Sequence, residues 1–223
     1  MCGIVGYVGT SNGVDAVDVV LDGLSSLEYR GYDSAGLAVP TPSVRVHKTE
    51  GELSALENTV PRDELEGALT GIGHTRWSTH GPPSDVNAHP HRDEADRVAV
   101  VHNGIIENYQ RLRDDLVDAG ITFQSETDTE VVPQLIGRYL DRGAAPEEAF
   151  RLAIDQLEGS YAIAAVFDGS ETVYAARQDS PLVVGLGETG TYLASDVPAF
   201  VEHTDRVCYL EDGDFVRLTA DDA

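Results

Sequence analysis

The sequence predicts an α+β domain in which antiparallel sheets carry helices on their outer faces. Three observations indicate this class: a strand opens the chain, helical patterns occupy its middle, and a run of short strands separated by turns follows Gly159. The length of 223 residues suits one large domain or two small ones, and no repeat or convincing linker divides the chain. We therefore expect a single domain over residues 1–223.

The first elements follow from hydrophobic periodicity. Residues 3–8 have the pattern of a strand with little side-chain bulk, and residues 14–28 place apolar side chains at helical spacing before Gly31. Segments 29–39 and 98–102 return to strand patterns. The early part of the chain is therefore expected to alternate strand, helix and strand.

Three helices are expected in the middle of the chain. Asn108 is placed to cap a helix that ends at Gly120, and Thr127 and Glu130 have capping-box spacing before a second helix. Pro133 then falls in the first turn of that second helix, where proline is tolerated. A third helix is expected from Pro146 to about residue 157.

The last part of the chain alternates short apolar runs with turn residues. The predicted strands are 160–167, 172–177, 182–186, 191–194, 206–210 and 215–218. Cys208 lies in the fifth of these, and we expect its side chain to pack in the core.

The acidic balance of the chain is its unusual compositional feature. Thirty-nine acidic residues against 15 basic ones give a formal net charge of −24, and Lys48 is the only lysine. The acids are scattered, so the surface repels itself at ordinary salt and is screened in concentrated salt. The pattern predicts adaptation to a salt-rich, halophilic cytoplasm and argues against nucleic acid as a ligand.

Neither a membrane nor a disulfide framework is indicated. No stretch approaches the roughly 20 apolar residues that span a bilayer, and the chain does not open with a basic region followed by an apolar run. A cytoplasmic location is therefore expected. Cys2 and Cys208 are the only cysteines and form no CxxC pair, so no thiolate zinc site is predicted.

Cys2 is the strongest candidate for chemistry. Removal of Met1 would leave one residue that carries both a thiol and a free α-amine, with ordinary pKa values of roughly 8.5 and 7.7–8.0. The amine can then take the thiol proton directly or through one water, without a histidine. The alternative is a buried strand in which the cysteine is a small apolar residue.

Four loop-like segments rich in polar groups suit a small charged amide. In 73–81, Arg76 beside Trp77 is typical of carboxylate capture under an aromatic lid, and an ordinary surface turn is the alternative. In 102–108, Asn103 and the backbone N–H of Gly104 could converge on an oxyanion, although Asn-Gly is also a common turn. In 125–130, Asp128 could accept an ammonium group, which is compatible with a helix cap.

The fourth segment, 87–91, contains His89 and His91 at i,i+2 spacing. Such a pair can ligate a metal, but no third ligand has a sensible spacing. A loop without metal is the favoured interpretation of this segment.

Together with Cys2, these segments resemble the class II (N-terminal nucleophile) glutamine amidotransferase domain. The resemblance is closest to the branch of glutamine–fructose-6-phosphate aminotransferases, and it covers the whole chain. The motifs that carry it are CGIVG at 2–6, LEYRGYDSAG at 27–36, TRWSTHG at 75–81, NAHPH at 87–91, HNGIIEN at 102–108 and SETDTE at 125–130. The second and third of these distinguish the branch from purine-pathway relatives.

The resemblance implies a four-layer αββα sandwich of two antiparallel sheets between helices. It also implies roles for single residues. Cys2 is the expected nucleophile, with its α-amine as base, and Asn103 and Gly104 are expected to form the oxyanion hole. Arg76 is expected to bind the α-carboxylate of glutamine, and Asp128 its α-ammonium. Trp77, Thr79 and His80 are expected to form the pocket and lid, and Arg30 to support the region near the nucleophile. No cofactor and no metal are implied.

The expected activity is hydrolysis of L-glutamine through a Cys2 thioester, with ammonia passed to fructose 6-phosphate in amino sugar synthesis. Two alternatives stay open: a class II amidotransferase with another acceptor, and a glutamine-binding module without turnover. No candidate for the sugar-phosphate isomerase part of the branch follows the last strand. That part is expected in cis or in trans, and a homodimer through it is possible on this resemblance.

Overall fold

Two antiparallel sheets lie face to face between two layers of helices. The structure is a computed structural model and describes residues 2–11 and 13–223. The expected removal of Met1 therefore lies outside the described residues.

The strands form one sheet of seven and one of five, with orders β11-β9-β10-β1-β4-β2-β3 and β12-β8-β7-β6-β5. Their bounds are β1 Gly3–Gly9, β2 Ser34–Val39, β3 Arg45–Glu50, β4 Thr70–Arg76, β5 His91–Arg92, β6 Val98–Ile106, β7 Gly159–Phe167, β8 Val173–Gln178, β9 Val183–Leu186, β10 Gly190–Ala194, β11 Val207–Tyr209 and β12 Phe215–Leu218.

The α-helices are α1 Ala16–Ser25, α2 Leu53–Glu57, α3 Arg62–Leu65, α4 Tyr109–Asp118, α5 Val131–Asp141 and α6 Pro146–Ile154. Short 3₁₀ helices cover Glu28–Arg30 and Val197–Ala199. Among the described residues, no helix combines the length and apolar composition that crossing a bilayer requires.

Three apolar clusters fix the order of the layers. The first joins α1, α2 and α3 to the outer face of the seven-stranded sheet, the second lies between the sheets, and the third joins the five-stranded sheet to α4, α5 and α6. Representative members are Val20, Leu24 and Leu37 in the first, Ile4, Ile72 and Ala164 in the second, and Val100, Ile136 and Phe150 in the third. The predicted αββα sandwich is confirmed.

Strand β1 lies in the middle of the large sheet. Val5 is paired with Gly73 of β4 on one side and with Ala194 of β10 on the other. A Cβ at Gly73 would stand 2.4 Å from Val20 Cγ1 and 2.9 Å from Leu24 Cδ1. The glycine therefore lets α1 pack directly on the strand beside β1.

The structure corrects several sequence expectations. The helix expected over 14–28 ends at Ser25, and the strand expected from residue 29 begins at Ser34, because Glu28–Arg30 form a 3₁₀ helix. Cys208 is exposed rather than packed in the core, since β11 is the edge strand of its sheet. Strands β3, β4 and β5 and helices α2 and α3 were not predicted.

The side chains of two predicted helix caps make other contacts than the predicted capping bonds. The Asn108 side chain donates to Gln156 O at 2.8 Å and accepts from Glu158 N at 3.1 Å, so it ties the start of α4 to the segment after α6. The Thr127 side chain does not cap α5, and Glu130 turns back to accept from Ser125. Pro133 lies in the first turn of α5, as expected.

Candidate active site

The candidate site is a small cleft near the start of β1, where β1, β4 and β6 approach one another. β1 begins directly after Cys2, and pairing of Gly3 with Thr75 brings Cys2 to the end of β4 at Arg76. The residues that line the cleft are Cys2, Arg76, Trp77, Thr79, His80, His89, His102, Gly104, Thr127, Asp128 and Thr129. The structure therefore brings together most of the residues that the sequence analysis selected.

The Cys2 thiol is held by the backbone of the residue after β4. Trp77 N donates to Sγ at 3.2 Å, and Sγ lies 3.5 Å from Trp77 O. Burial raises the pKa of the thiol above its ordinary value, although the Trp77 N–H and the Arg76 guanidinium lower it. The thiol is therefore protonated near neutral pH, and a reaction at sulfur needs a base beside it.

Arg76 presents a buried guanidinium that is only partly satisfied. The residue is 4% exposed, and Nη2 donates to His80 O and, at 3.3 Å, to Gly81 O. Nη1 is buried without a hydrogen-bond partner among the described residues. Burial lowers the pKa of Arg76, but a guanidinium stays charged, so an incoming carboxylate would relieve an unpaired cationic donor.

The loop after β4 carries the predicted lid residues. The Trp77 side chain is 46% exposed and meets the edge of Tyr32 with ring centroids 5.5 Å apart. Thr79 is exposed, and the His80 ring packs against Tyr109 at a centroid distance of 5.6 Å. All three predicted lid residues thus line the cleft, and Trp77 and Thr79 are exposed.

Two residues of the 27–36 motif hold this loop. Asp33 Oδ2 accepts from Ser78 N at 2.8 Å. A Cβ at Gly31 would lie 2.6 Å from the carbonyl carbon of Arg76 and 2.8 Å from Trp77 N. A side chain at position 31 would therefore displace the peptide group that contacts the thiol.

Asn103 and Gly104 lie beside Cys2 on β6. Asn103 Nδ2 donates to Cys2 O at 2.9 Å, and Asn103 Oδ1 is 3.0 Å from His74 Nε2. Gly104 has φ +128°, and a Cβ there would stand 2.1 Å from Ser160 O on β7. Only glycine fits this backbone conformation and this spacing.

Asp128 is a buried carboxylate with one fixed oxygen. It is 5% exposed, and its Oδ2 accepts from Ile106 N at 2.8 Å, while Thr129 Oγ1 lies 3.4 Å from Oδ1. The carboxylate lines the same cleft as Arg76, and the cleft therefore presents one cation and one anion to a ligand.

The loop before Asp128 rests on a chain of hydrogen bonds. Ser125 Oγ donates to Glu130 Oε2 at 2.6 Å and lies 3.0 Å from Thr127 Oγ1, which in turn lies 3.0 Å from His91 Nε2. Asn87 Oδ1 accepts from Glu126 N at 2.9 Å. These contacts join the 87–91 and 125–130 segments into one wall of the cleft.

Arg30 lies outside the cleft. Its guanidinium pairs with Asp196, and Tyr29 Oη donates to the same carboxylate at 2.7 Å. The neighbouring Ser195 Oγ accepts from Ile4 N at 3.0 Å. The structure thus places Arg30 two contacts away from β1 and shows no hydrogen bond from it to a residue that lines the cleft.

Four histidines are buried at the site, His89 and His102 in the lining of the cleft and His74 and His91 behind it. Burial lowers the pKa of each, so all four rings are neutral near pH 7. No group of three or more His, Cys, Asp or Glu side chains in the described part of the chain is arranged to hold a metal ion.

The sequence motifs alone do not single out His74, Asp33 or Thr127 as site residues. Asp33 and Thr127 lie inside motifs that were recognised, so their polar side chains were a usable signal. His74 directly precedes one of those motifs in a segment of glycines that was interpreted as a loop rather than a strand.

A family profile described as a glutamine amidotransferase domain matches residues 74–202, more than half of the chain. This chain belongs to the glutamine amidotransferase domain family. This match confirms the family resemblance that the motifs indicate. Solved structures with the same fold confirm the class II assignment.

Two solved structures share the fold of this glutamine amidotransferase domain. The glutamine phosphoribosylpyrophosphate amidotransferase from B. subtilis is 27% identical with a TM-score of 0.79, over 97% of this chain and 47% of that one. An allosteric regulatory enzyme of purine biosynthesis is 26% identical with a TM-score of 0.80, over 99% of this chain and 49% of that one.

Curated relatives of this glutamine amidotransferase domain are named glutamine–fructose-6-phosphate aminotransferase [isomerizing]. The Thermus thermophilus protein is 56% identical over 220 residues, which are 98% of this chain and 35% of the relative. The Halobacterium salinarum protein is 52% identical, over 98% of this chain and 35% of the relative. The chain therefore spans about a third of the length of these relatives.

Proposed function

We propose that the chain hydrolyses the side-chain amide of L-glutamine through a thioester on Cys2. The observation that carries the proposal is the cleft that holds a thiol, the unpaired Nη1 of Arg76 and the carboxylate of Asp128. A zwitterionic amino acid needs one cation and one anion at its α-carbon, and its amide needs a nucleophile at the other end.

The first half of the proposed reaction forms the thioester. The α-amine of Cys2, free once Met1 is removed, takes the thiol proton as sulfur attacks the amide carbon. The carbonyl electron pair moves to oxygen, where Asn103 Nδ2 and the Gly104 N–H stabilise the negative charge. The intermediate then collapses, the C–N bond breaks, and the α-ammonium gives its proton to the leaving nitrogen, which departs as ammonia.

The second half regenerates the thiol. Water loses a proton to the α-amine and attacks the thioester carbon, and the same two donors stabilise the oxyanion again. The C–S bond breaks, the thiolate regains the proton from the α-ammonium, and glutamate leaves. Trp77, Thr79 and His80 form the pocket wall and lid in this proposal, and Arg30 supports the strand that carries the nucleophile.

The names of the relatives support a role in amino sugar synthesis, with ammonia passed to fructose 6-phosphate. Because the chain spans about a third of those relatives, the acceptor site belongs to an isomerase part that is joined in cis or binds in trans. A homodimer through that part belongs to the same proposal. The 56% and 52% identities favour this acceptor over another one.

The proposed setting is a salt-rich cytoplasm. The net charge of −24, with one lysine, supports adaptation to high salt. Both described cysteines are free, which agrees with a reducing compartment.

The decisive experiment is a glutaminase assay on protein whose Met1-free N-terminus has been verified by intact mass. The wild type should release ammonia and glutamate from L-glutamine in high salt, Cys2→Ala should be inactive with an unchanged melting temperature, and the matched control Cys208→Ala should retain activity. A glutamine analogue with an electrophilic side chain should add one equivalent at Cys2 and none at Cys208. Turnover of glutamine by Cys2→Ala would refute the assignment of Cys2 as the nucleophile.

A further inference from the structure

The orientation of the Asn103 amide depends on one buried histidine. His74 is fully buried on β4, and its Nε2 lies 3.0 Å from His102 O and 3.0 Å from Asn103 Oδ1. A carbonyl oxygen only accepts, so the contact with His102 O requires that Nε2 carries the hydrogen. His74 therefore donates from Nε2, and Nδ1 is the nitrogen without a hydrogen.

The Nε2–H donor of His74 fixes the orientation of the Asn103 side-chain amide. If the NH₂ group faced His74, two donors would oppose each other in a buried site, which is costly. Oδ1 must therefore face His74, and Nδ2 must face Cys2, where it donates to Cys2 O at 2.9 Å. An amide nitrogen has two hydrogens, so one remains for a second acceptor beside the thiol.

The surroundings keep His74 neutral and its ring in place. Burial lowers the pKa of His74 to about 3, with the neighbouring His102 and Arg76 acting in the same direction. The ring stacks on His89 at a centroid distance of 4.3 Å, and His89 Nδ1 accepts from His102 N at 3.3 Å. His74 Nδ1 has no hydrogen-bond partner among the described residues, as expected for the nitrogen that lacks a hydrogen.

We propose that His74 is a positioning residue that sets the Asn103 amide with its nitrogen toward the thiol, and so assembles the oxyanion hole from β4. The proposal rests on the proposed glutaminase activity. His74 does not line the cleft, and it acts through Asn103 and through His102 O at the neighbouring position on β6.

The kinetic test uses two replacements. Glutamine can place Nε2 the same number of bonds from Cα as histidine does, so His74→Gln keeps the donor, whereas His74→Leu removes it. His74→Leu should lower kcat by about 10²-fold, close to Asn103→Ala, with little change in KM. His74→Gln should stay within about tenfold of the wild type. Equal losses in the two His74 variants would overturn the proposal.

A double-mutant cycle separates positioning from general damage. If His74 acts through Asn103, adding His74→Leu to Asn103→Ala should cost little further kcat, because the interaction is already lost. Multiplicative losses would contradict the proposal. Melting temperatures of all variants, measured in parallel, identify any variant that fails to fold. If His74→Leu does not fold, the activity of His74→Gln and the tautomer of His74 in the wild type test the proposal.

The tautomer of His74 can be measured without activity. Nitrogen-15 spectra of histidine-labelled wild type, with His74 identified by its loss in His74→Gln, should show hydrogen on Nε2 and a neutral ring from about pH 5 to 8. Hydrogen on Nδ1, or a charged ring, would overturn the proposal. Absence of glutamine turnover in the wild type would refute the proposed function and leave this measurement valid.

Discussion

Asn103 Nδ2 donates to the carbonyl oxygen of Cys2 at 2.9 Å, and this bond joins the two sheets at the site. Cys2 precedes β1 in the seven-stranded sheet, and Asn103 lies on β6 in the five-stranded sheet. The proposed nucleophile and its proposed oxyanion donor thus belong to different layers. Their alignment depends on the apolar contacts between the sheets as well as on this hydrogen bond.

Arg76 and Asn103 should affect different kinetic constants. Arg76→Ala should mainly raise KM for glutamine, because the α-carboxylate is bound similarly in the ground and transition states. Asn103→Ala should mainly lower kcat, by roughly 10²–10³, because negative charge appears on the amide oxygen only during reaction. Steady-state kinetics of both variants in high salt provide the measurement, and the reverse pattern would exchange the two roles.

Asp128→Asn should weaken glutamine binding through loss of the negative partner of the α-ammonium. The variant keeps the shape of the side chain and an oxygen for the Ile106 N–H. An inhibitor that lacks the α-amine should bind Asp128→Asn and the wild type equally well, which a competition assay can measure. A similar loss for both inhibitors would point to a distorted pocket.

Gly104→Ala should strongly destabilise the domain. It combines a φ of +128° with a Cβ 2.1 Å from Ser160 O, so β6 and β7 must separate there. Gly120→Ala is the matched control, because Gly120 has φ +95° but no atom within 4 Å of its Cβ position. The control should cost about 1 kcal/mol, and Gly104→Ala clearly more, by denaturant unfolding. Similar losses would show that the contact with Ser160 is easily relieved.

Lys48 should give the stability a specific pH dependence. Its Nζ donates to Val86 O and Ala88 O, and burial, with Arg92 nearby, lowers its pKa from 10.5 to about 8. Between these values the unfolded chain binds more protons than the folded one, so Lys48 makes the free energy of unfolding rise with pH. From pH ~7.5 to ~9.5, the free energy of unfolding of the wild type should rise by about 2 kcal/mol relative to that of Lys48→Met.

Urea unfolding of both proteins at the two pH values measures this difference, and other titrating groups cancel in the comparison. Lys48→Arg is the control, since a guanidinium does not titrate in this window. A pH-independent difference between the wild type and Lys48→Met would mean that the lysine keeps its ordinary pKa in the folded chain.

The melting temperature should rise with potassium chloride well beyond physiological ionic strength. The net charge of −24 repels itself, and the screening length falls from about 10 Å at 0.1 M to about 3 Å at 1 M. Changing exposed carboxylates to lysine should reduce this salt dependence, and suitable positions are Glu57, Asp118 and Glu188, which lie outside the cleft. A flat wild-type profile would remove the halophilic interpretation.

The structure also restricts which carboxylates can serve that test. Asp15 accepts from Val17 N at 2.8 Å and from Gly67 N at 2.6 Å, so it caps α1 and fixes a turn. Asp18 pairs with Arg62. Lysine at either position would remove a specific contact together with the charge.

Strand β4 shows why part of the fold escaped prediction. Its sequence, TGIGHTR, combines glycines with polar residues, so the pattern predicts the start of a loop at residue 73 and no element over 70–72. All seven residues are buried, because Gly71 and Gly73 face α1 while His74 and Arg76 reach the site. Strand propensity does not predict such a strand, because close helix packing sets the composition of one face and a buried polar network sets that of the other.

The sequence indicates residues of the candidate site more readily than the contacts that hold them. Cys2, Arg76, Asn103 and Asp128 were selected because thiol, guanidinium, amide and carboxylate groups have distinct chemistry that a motif reveals. Arg30 and Asp196 lie far apart in sequence, and their pairing depends on how the 3₁₀ helices meet. Such partners become visible only when the topology is known.

The position of β1 has a consequence for how the domain forms during synthesis. Strand β1 leaves the ribosome long before β10, with which it is paired: Val5 opposes Ala194, and Ile4 N also donates to Ser195 Oγ. These contacts have a very large sequence separation, and pairings of this kind form late. The segment with the nucleophile must therefore remain unpaired on that side until almost the whole domain has been translated.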